Sequence, residues 1–226
     1  MSNRQSPTTD YSESIPGAPL ETILCTDELE RRSSRPPNRE LERNALTSLA
    51  GSLSSSPQTV LQSLSSTILT VLQCDSAGVS LVNENGTRFY WPAIAGVWQP
   101  HIGSGTPRHF GPCGDVLDHN SSLLFKHFEK RYTYFLPITP ACSECLLVPF
   151  DVDGKAVGTI WAITHEAPHD GNSKGRPSAG KFDREDLRML ESLGKFASCA
   201  YAVCTDLKRD VSLERHPRSI EGAGRV

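Results

Sequence analysis

The sequence lacks the features that would direct this chain to a membrane or a nucleic acid. No apolar stretch approaches the roughly 20 residues of a membrane-spanning helix, and the first ten residues, M-S-N-R-Q-S-P-T-T-D, lack the apolar core of a signal peptide. Charge of one sign is not concentrated either, because 23 Lys and Arg stand against 26 Asp and Glu. A basic face for phosphates is therefore missing, and we expect a cytoplasmic protein that binds neither nucleic acid nor a membrane.

Familiar catalytic and metal-binding motifs are also missing. The sequence has no G-x-S-x-G and no P-loop. Its one C-x-x-C has no second pair at zinc spacing, so we predict no metal site. Seven cysteines are an odd number in mostly apolar surroundings, which predicts buried thiols in a reducing compartment.

Composition divides the chain into three regions. Residues 1–37 are rich in Ser, Thr, Pro and Arg and poor in aromatics, which predicts a disordered tail. Residues 38–209 carry the apolar periodicity of a folded domain, and residues 210–226 read as a flexible C-terminal tail.

The sequence predicts the first residues of three helices. Asn38 is a suitable N-cap, and Ser56 followed by Pro57 marks the start of a second helix. Asp183 and Asp186 fit a capping arrangement at the start of the last helix.

The last helix, predicted to run to about Arg209, carries two apolar rows. One row can pack on a sheet while the other meets a second chain, which predicts a homodimer. The alternative is that both rows are buried within one chain. The rows are Leu187, Leu190, Gly194, Ala197, Tyr201 and Cys204, and Leu193, Phe196, Ala200, Val203 and Leu207.

The stretch from Glu144 to His165 predicts a β-hairpin around a type I′ turn at Asp153-Gly154. Both strands are almost entirely apolar, so we expect them to be covered on both faces. Along the first strand the alternation places Leu146, Val148 and Phe150 on one face and Leu147 and Pro149 on the other. Along the second strand it places Val157, Thr159, Trp161 and Ile163 opposite Gly158, Ile160 and Ala162.

An irregular, Gly- and Pro-rich loop from Val97 to Asn120 brings aromatic and polar residues toward this sheet. Aromatics with a few polar groups suit a small organic ligand, and Arg108 can hold a carboxylate or phosphate. The alternative is a satellite core without a ligand. The candidate ligand-binding residues are Trp91, Trp98, His101, Arg108, Phe110, Cys113 and Trp161.

Cysteines offer an alternative chemistry. Cys142-Ser-Glu-Cys145 is a C-x-x-C pair, but it enters a strand and not a helix, and Cys113 lies in the loop over the sheet. A thiol enzyme would use Cys113 for attack, with Cys142 or Cys145 as the resolving thiol.

Histidine ligation of a haem or bilin has no diagnostic support. His101, His109, His119 and His127 show no ligand spacing, and a Cys-His dipeptide is absent. The cofactor therefore stays unidentified.

The element order and several motifs resemble a GAF domain over about residues 40 to 208. The motifs are A-G-V-S-L-V-N, P-C-G-D-V-L-D, L-L-V-P-F-D-V-D-G-K-A-V-G-T-I-W and F-D-R-E-D-L-R-M-L-E-S-L-G. R-F-Y-W-P-A-I-A-G-V-W and T-P-R-H-F-G-P-C-G resemble GAF modules of bacterial sensor histidine kinases. The resemblance implies an α+β fold: an antiparallel sheet of five or six strands, helices on one face and a loop-covered pocket on the other.

For function, the resemblance implies a stand-alone sensory module. It would bind a small molecule or sense redox state and signal as a homodimer to a separate histidine kinase or another signalling protein. One alternative is a thiol reductase similar to free methionine sulfoxide reductases, whose G-x-C-G resembles G-P-C-G here, although their A-C-x-R-I motif is absent. Another is a ligand-free interaction scaffold.

Overall fold

The computed structural model describes residues 17–166 and 181–214, with side chains as far as residue 203. Within these residues five strands form one antiparallel sheet in the order β2-β1-β5-β4-β3. The strands are β1 Ser76–Val82, β2 Phe89–Gly96, β3 Leu123–Lys126, β4 Cys142–Val152 and β5 Lys155–His165. The helices are α1 Asp27–Arg31, α2 Arg39–Ser52, α3 Pro57–Leu72, α4 Pro112–His119 and α5 Arg184–Glu214. Helices α2, α3 and α5 cover one face, and α4 with the loops covers the other, which confirms the predicted α+β fold.

The predicted hairpin is the centre of the sheet. Asp153 and Gly154 have φ of 52° and 74°, as a type I′ turn requires. The two faces alternate as predicted, because each strand turns successive side chains to opposite sides. Leu146, Val148, Phe150, Ile160 and Ala162 join the core under the helices, and Leu147, Trp161 and Ile163 join the core under the loops.

All three predicted helix starts are confirmed. Asn38 and Ser56 each accept a hydrogen bond from the backbone N–H three residues later, at 3.0 and 3.2 Å. Asp183 and Asp186 bond reciprocally to each other's backbone N–H, at 2.9 and 3.0 Å. Each side chain thereby satisfies a donor that the helix leaves unpaired.

The N-terminal strap, which we define as residues 17–37, corrects the prediction of a disordered tail over residues 1–37. Ile23 and Leu29 are each 1% exposed. The strap lies along the outer edge of β3, with the Cys25 N–H donating to the carbonyl of Leu124 at 2.9 Å and the Lys126 N–H donating to the carbonyl of Ile23 at 2.8 Å. Its few apolar side chains suffice because Ile23 enters the core under the loops and Leu29 enters the core under the helices. Residues 1–16 lie outside the described residues.

A buried ion pair fastens the strap to the start of α5. The Arg32 guanidinium donates to both carboxylate oxygens of Glu144, at 3.0 and 2.7 Å, and Glu144 is only 2% exposed. Arg32 also donates to the carbonyl of Phe182 at 2.6 Å, while the Phe182 N–H donates to Glu144 at 3.0 Å. Arg35 pairs with Asp183 in the same region. The strap, β4 and α5 therefore meet in one hydrogen-bonded unit.

Helix α5 continues to Glu214, five residues into the predicted C-terminal tail of 210–226, and residues 215–226 lie outside the described residues. Ala197 and Ala200, from different apolar rows, are each 1% exposed. Both rows are therefore packed within the chain as far as Ala200. Val203 is 42% exposed, where α5 leaves the domain.

Candidate functional site

The face of the sheet under the loops carries an aromatic cluster, which we define as Trp91, Trp98, Phe128, Phe135 and Trp161. All five side chains are at most 4% exposed. Trp98 stacks on Phe135, with ring centroids 6.0 Å apart and planes at 14°, and on Trp91 at 6.4 Å and 24°. Trp161 and Phe128 meet the Trp98 ring edge-on, each at 6.3 Å. These are the offset and edge-to-face geometries that aromatic rings prefer.

Little space remains in this cluster. The cavity at its centre measures about 20 Å³, which is close to the volume that a single water needs. Side chains thus fill the predicted pocket, as the satellite-core alternative expects. The cavity is lined by the cluster together with Thr106, Pro112, Cys113, Cys145, Leu147 and Ile163.

Four of the seven candidate ligand-binding residues line the cavity: Trp91, Trp98, Cys113 and Trp161. Arg108 is turned away from it. Its guanidinium donates to Asp118 at 2.7 Å and to the carbonyl of Gly114 at 3.3 Å, and it lies 5.8 Å from the centre of the Phe89 ring. In this arrangement Arg108 ties its loop to α4, and the guanidinium is already paired.

The remaining two candidates lie at the margin of the cluster. His101 is half-buried and meets the Trp98 ring edge-on at 6.1 Å. Phe110 is half-buried and packs against Tyr132 and Tyr134, at 5.4 and 6.0 Å. Neither lines the cavity.

Ser76 holds the backbone of Trp98 in place. Its hydroxyl oxygen accepts from the Trp98 N–H at 3.1 Å and lies 2.8 Å from Nε2 of His165. His165 Nδ1 is 3.2 Å from the carbonyl of Ala141, which can only accept, so Nδ1 carries the proton and Nε2 accepts from Ser76. Burial lowers the pKa of His165, against smaller opposing effects of Ala141 and the Asp75 carboxylate. The neutral imidazole is therefore the form that fits this network.

Buried thiols surround the cavity. Cys113 donates to the hydroxyl of Ser80 at 3.3 Å, and the same oxygen accepts from Nε1 of Trp161 at 3.0 Å. Burial raises the pKa of Cys113, and it raises the pKa of Cys142 and Cys145 well above the ordinary value. A nucleophilic cysteine needs the opposite shift, so this site disfavours thiolate chemistry.

Sequence reasoning missed several residues of the site. Phe128 and Phe135 come from a stretch, F-E-K-R-Y-T-Y-F, whose aromatic density is visible in the sequence. Ser76, Ser80 and His165 carry no such sign, because each matters only through partners that lie far away in the chain.

The four candidate histidines do not line the cavity, and a space of about 20 Å³ cannot hold a haem or bilin. Among the described residues, no group of three or more His, Cys, Asp or Glu side chains is arranged to hold a metal ion. No helix in the same part of the chain is both long and apolar enough to span a membrane.

A family model described as GAF domain matches residues 56–201 of this sequence. A search of curated proteins found no significant match. Among solved structures, the GAF domain from an Acinetobacter phosphoenolpyruvate-protein phosphotransferase has 14% identity and a TM-score of 0.58, over 75% of this chain and 98% of that chain.

Two further structures show the range of proteins with this fold. A free methionine-R-sulfoxide reductase from Neisseria meningitidis, solved in complex with its substrate, has 15% identity and a TM-score of 0.59, over 78% of this chain and 97% of that chain. The second GAF domain of DevS from Mycobacterium smegmatis has 17% identity and a TM-score of 0.53, over 68% of this chain and 99% of that chain. At these identities the likeness concerns the fold alone.

Proposed function

The chain belongs to the GAF domain family, and on that premise we propose that it is a regulatory module that responds to a small molecule at its aromatic face and signals through α5. The observation that carries the proposal is that β5 contributes side chains to both cores, the one under the loops and the one under the helices. Trp161 and Ile163 belong to the core under the loops, and Ile160 and Ala162 belong to the core under the helices. A rearrangement of the cluster would therefore act on the strand against which α5 packs.

Close packing between α5 and the sheet supports this route. A Cβ built on Gly194 of α5 would lie 3.1 Å from Cγ1 of Val148 on β4, which is tighter than ordinary contact. Helix and sheet are thus too close for β4 to shift without moving α5, because close-packed cores transmit strain.

The exposed end of α5 favours a second copy of this chain as the immediate partner. Tyr90 is 42% exposed and lines a cleft of about 350 Å³ between α3, β2 and α5. Val203 is also 42% exposed and follows Ala200 and Tyr201, the α5 residues that line this cleft. The helical backbone continues for the eleven residues 204–214, which is about 16 Å at the usual rise. A pair of such helices, one from each copy, would cover these apolar side chains. A separate histidine kinase or another signalling protein would then bind the dimer and respond to its change in conformation.

Light scattering on the full chain tests the dimer. We expect a dimer at high micromolar concentration for the wild type and a folded monomer for Val203→Asp, because a charge at the helix pair is left without a partner. Leu136→Asp is the matched control, since Leu136 is 62% exposed on the opposite face. A monomeric wild type, or equal dissociation in the two variants, would contradict the proposal.

A ligand-free scaffold is the second candidate, favoured by the small volume of the cavity. Native mass spectrometry separates the two, since a scaffold carries no small molecule even when a ligand pool is supplied. The burial of Cys113 argues against the reductase alternative. Turnover of free methionine sulfoxide that disappears in Cys113→Ser would restore it.

A further inference from the structure

Trp98 reaches the cluster from an exposed loop, residues 97–104, which we call the plug loop. Trp98 itself is 3% exposed, whereas Val97 and Ile102 are 52% and 41% exposed. Gly103 has a φ of 86°, a turn conformation that glycine adopts without strain. The plug loop therefore places one large side chain in the cluster while most of its other side chains face solvent.

The Trp98 indole occupies a position like that of a bound ligand. Phe135 and Trp91 lie nearly parallel to it, and Phe128 and Trp161 close its edges. One acceptor, the carbonyl of Pro140, faces its Nε1 at 3.4 Å, beyond the usual range for N–H···O bonds.

The closed arrangement is not fully satisfied in its hydrogen bonds. Nε1 of Trp91 is buried and has no hydrogen-bond partner among the described residues. Because buried donors in an ordinary core are nearly always paired, the filled cluster leaves unpaired a donor that an ordinary core would satisfy.

Charge around the site restricts what can replace the indole. Among the residues that the structure describes, no Asp, Glu, Lys or Arg lines the cavity. Arg108 is the cation that the sequence predicts would bind an anionic ligand. Its guanidinium is instead hydrogen-bonded to Asp118 and to the carbonyl of Gly114. Burial of an unpaired anion here would be strongly unfavourable, so the space suits a neutral molecule.

We propose, building on the sensory role above, that the Trp98 side chain is a self-supplied occupant of this site. A neutral, planar, bicyclic nitrogen heterocycle takes its place against Phe135 and Trp91, donates its N–H to the carbonyl of Pro140, and expels the plug loop. Anionic nucleotides are excluded from the same space.

The first test removes the plug. Trp98→Ala should bind indole in a saturable one-to-one manner by calorimetry, and the wild type should bind it at least about 100-fold more weakly, since its own side chain must leave first. Trp98→Leu serves if Trp98→Ala does not fold. Tyr90→Ala is the matched control, an aromatic truncation next to Trp91 on β2 but 42% exposed, and should bind indole no more tightly than the wild type does.

Two further ligands test the chemistry of the site. Benzofuran has a similar shape without the N–H and should bind several-fold more weakly than indole, and indole-3-acetate carries a carboxylate and should not bind. Equal binding of the anion, or no saturable binding of indole to a folded plug variant, overturns the proposal.

Hydrogen exchange of the wild type provides a test without any variant. Near-saturating indole should speed exchange in residues 97–104 far more than in β1 or β5, because only the plug loop leaves its place. Unchanged exchange in the loop counts against the proposal. The oligomeric state is measured separately. Indole binding by a monomer would support the role of Trp98 and contradict signalling through a dimer. A dimer that never binds indole would support the dimer and contradict the role of Trp98.

Discussion

At the scale of single residues, two buried serines hold the aromatic face together. Ser80 accepts hydrogen bonds from Cys113 and from Trp161, and Ser76 joins the Trp98 backbone to His165. Neither serine could be identified from the sequence, since a small polar residue in a strand does not by itself indicate a hydrogen-bonding role. Their role follows from donors that burial would otherwise leave unpaired.

Ser80→Ala removes an acceptor from two buried donors. We expect it to lower the free energy of unfolding by about 1–3 kcal/mol, the cost of leaving buried polar groups unpaired. Ser65→Ala is the control: Ser65 is also fully buried, but its hydroxyl donates only to the carbonyl of Leu61 in its own helix, so less than about 1 kcal/mol should be lost. Urea denaturation measures both, and equal losses would contradict the role of Ser80.

His165 should make the protein sensitive to acid. Its pKa in the folded state lies below the ordinary value of about 6.5, so the unfolded chain binds more protons as the pH falls through that value. Its stabilising effect is therefore complete above about pH 6.5 and is lost progressively toward the lower folded pKa. His165→Gln should flatten this part of the stability profile, whereas His109→Gln, at an exposed position, should keep the wild-type profile. Denaturation at a series of pH values measures the difference, and parallel profiles for wild type and His165→Gln would refute it.

At the scale of elements, the sequence predicts those whose determinants are local. The hairpin follows from the Asp153-Gly154 pair and its apolar runs, and the helix starts follow from single capping residues. The strap was not predicted, because a few apolar residues within a Ser-, Pro- and Arg-rich segment resemble a solvated tail. The structural role of Ile23, Leu29 and Arg32 depends on contacts with β3, β4 and the start of α5, which lie far away in the sequence.

Arg32→Met should be strongly destabilising, by about 3–5 kcal/mol, since it leaves the Glu144 carboxylate buried without its cation. Adding Glu144→Gln to that variant should recover part of the loss, because the uncompensated charge is gone. Arg39→Met is the matched control, since the Arg39 side chain is 70% exposed in its pair with Glu42 and should cost no more than about 1 kcal/mol. Chemical denaturation of the wild type and the three variants measures these losses, and equal effects of the two single arginine variants would contradict the argument.

At the scale of the whole molecule, the family and the two-faced architecture were predictable, but the state of the site was not. Trp91, Trp98 and Trp161 fit a ligand pocket and a filled core equally well in sequence. Whether the site is a pocket or a filled core depends on how closely the rings of Phe135 and Trp98 approach each other, and here their centroids are 6.0 Å apart. The start of the folded unit was likewise misplaced, because the prediction put it at Asn38 and the strap precedes that residue.

Two shortened chains test where the folded unit begins. A chain starting at Gly17 should keep the thermal stability of the full protein. A chain starting at Asn38 should lose about 3–6 kcal/mol from the unburied contacts of Ile23 and Leu29 alone, and its uncovered β3 edge should favour aggregation. Calorimetry and light scattering check both, and equal stability of the two chains would show that the strap is dispensable.

The long reach of the strap has a consequence for how the protein is made. Cys25 contacts Leu124, 99 positions later, Arg32 contacts Glu144, 112 positions later, and Arg35 contacts Asp183, 148 positions later. The ribosome therefore releases the strap well before its partners, and at about 5–20 residues per second the delay is roughly five to thirty seconds. During that time Ile23 and Leu29 have no core to enter and are exposed to chaperones and proteases. We therefore expect synthesis speed, and not only final stability, to affect how many chains reach the folded state.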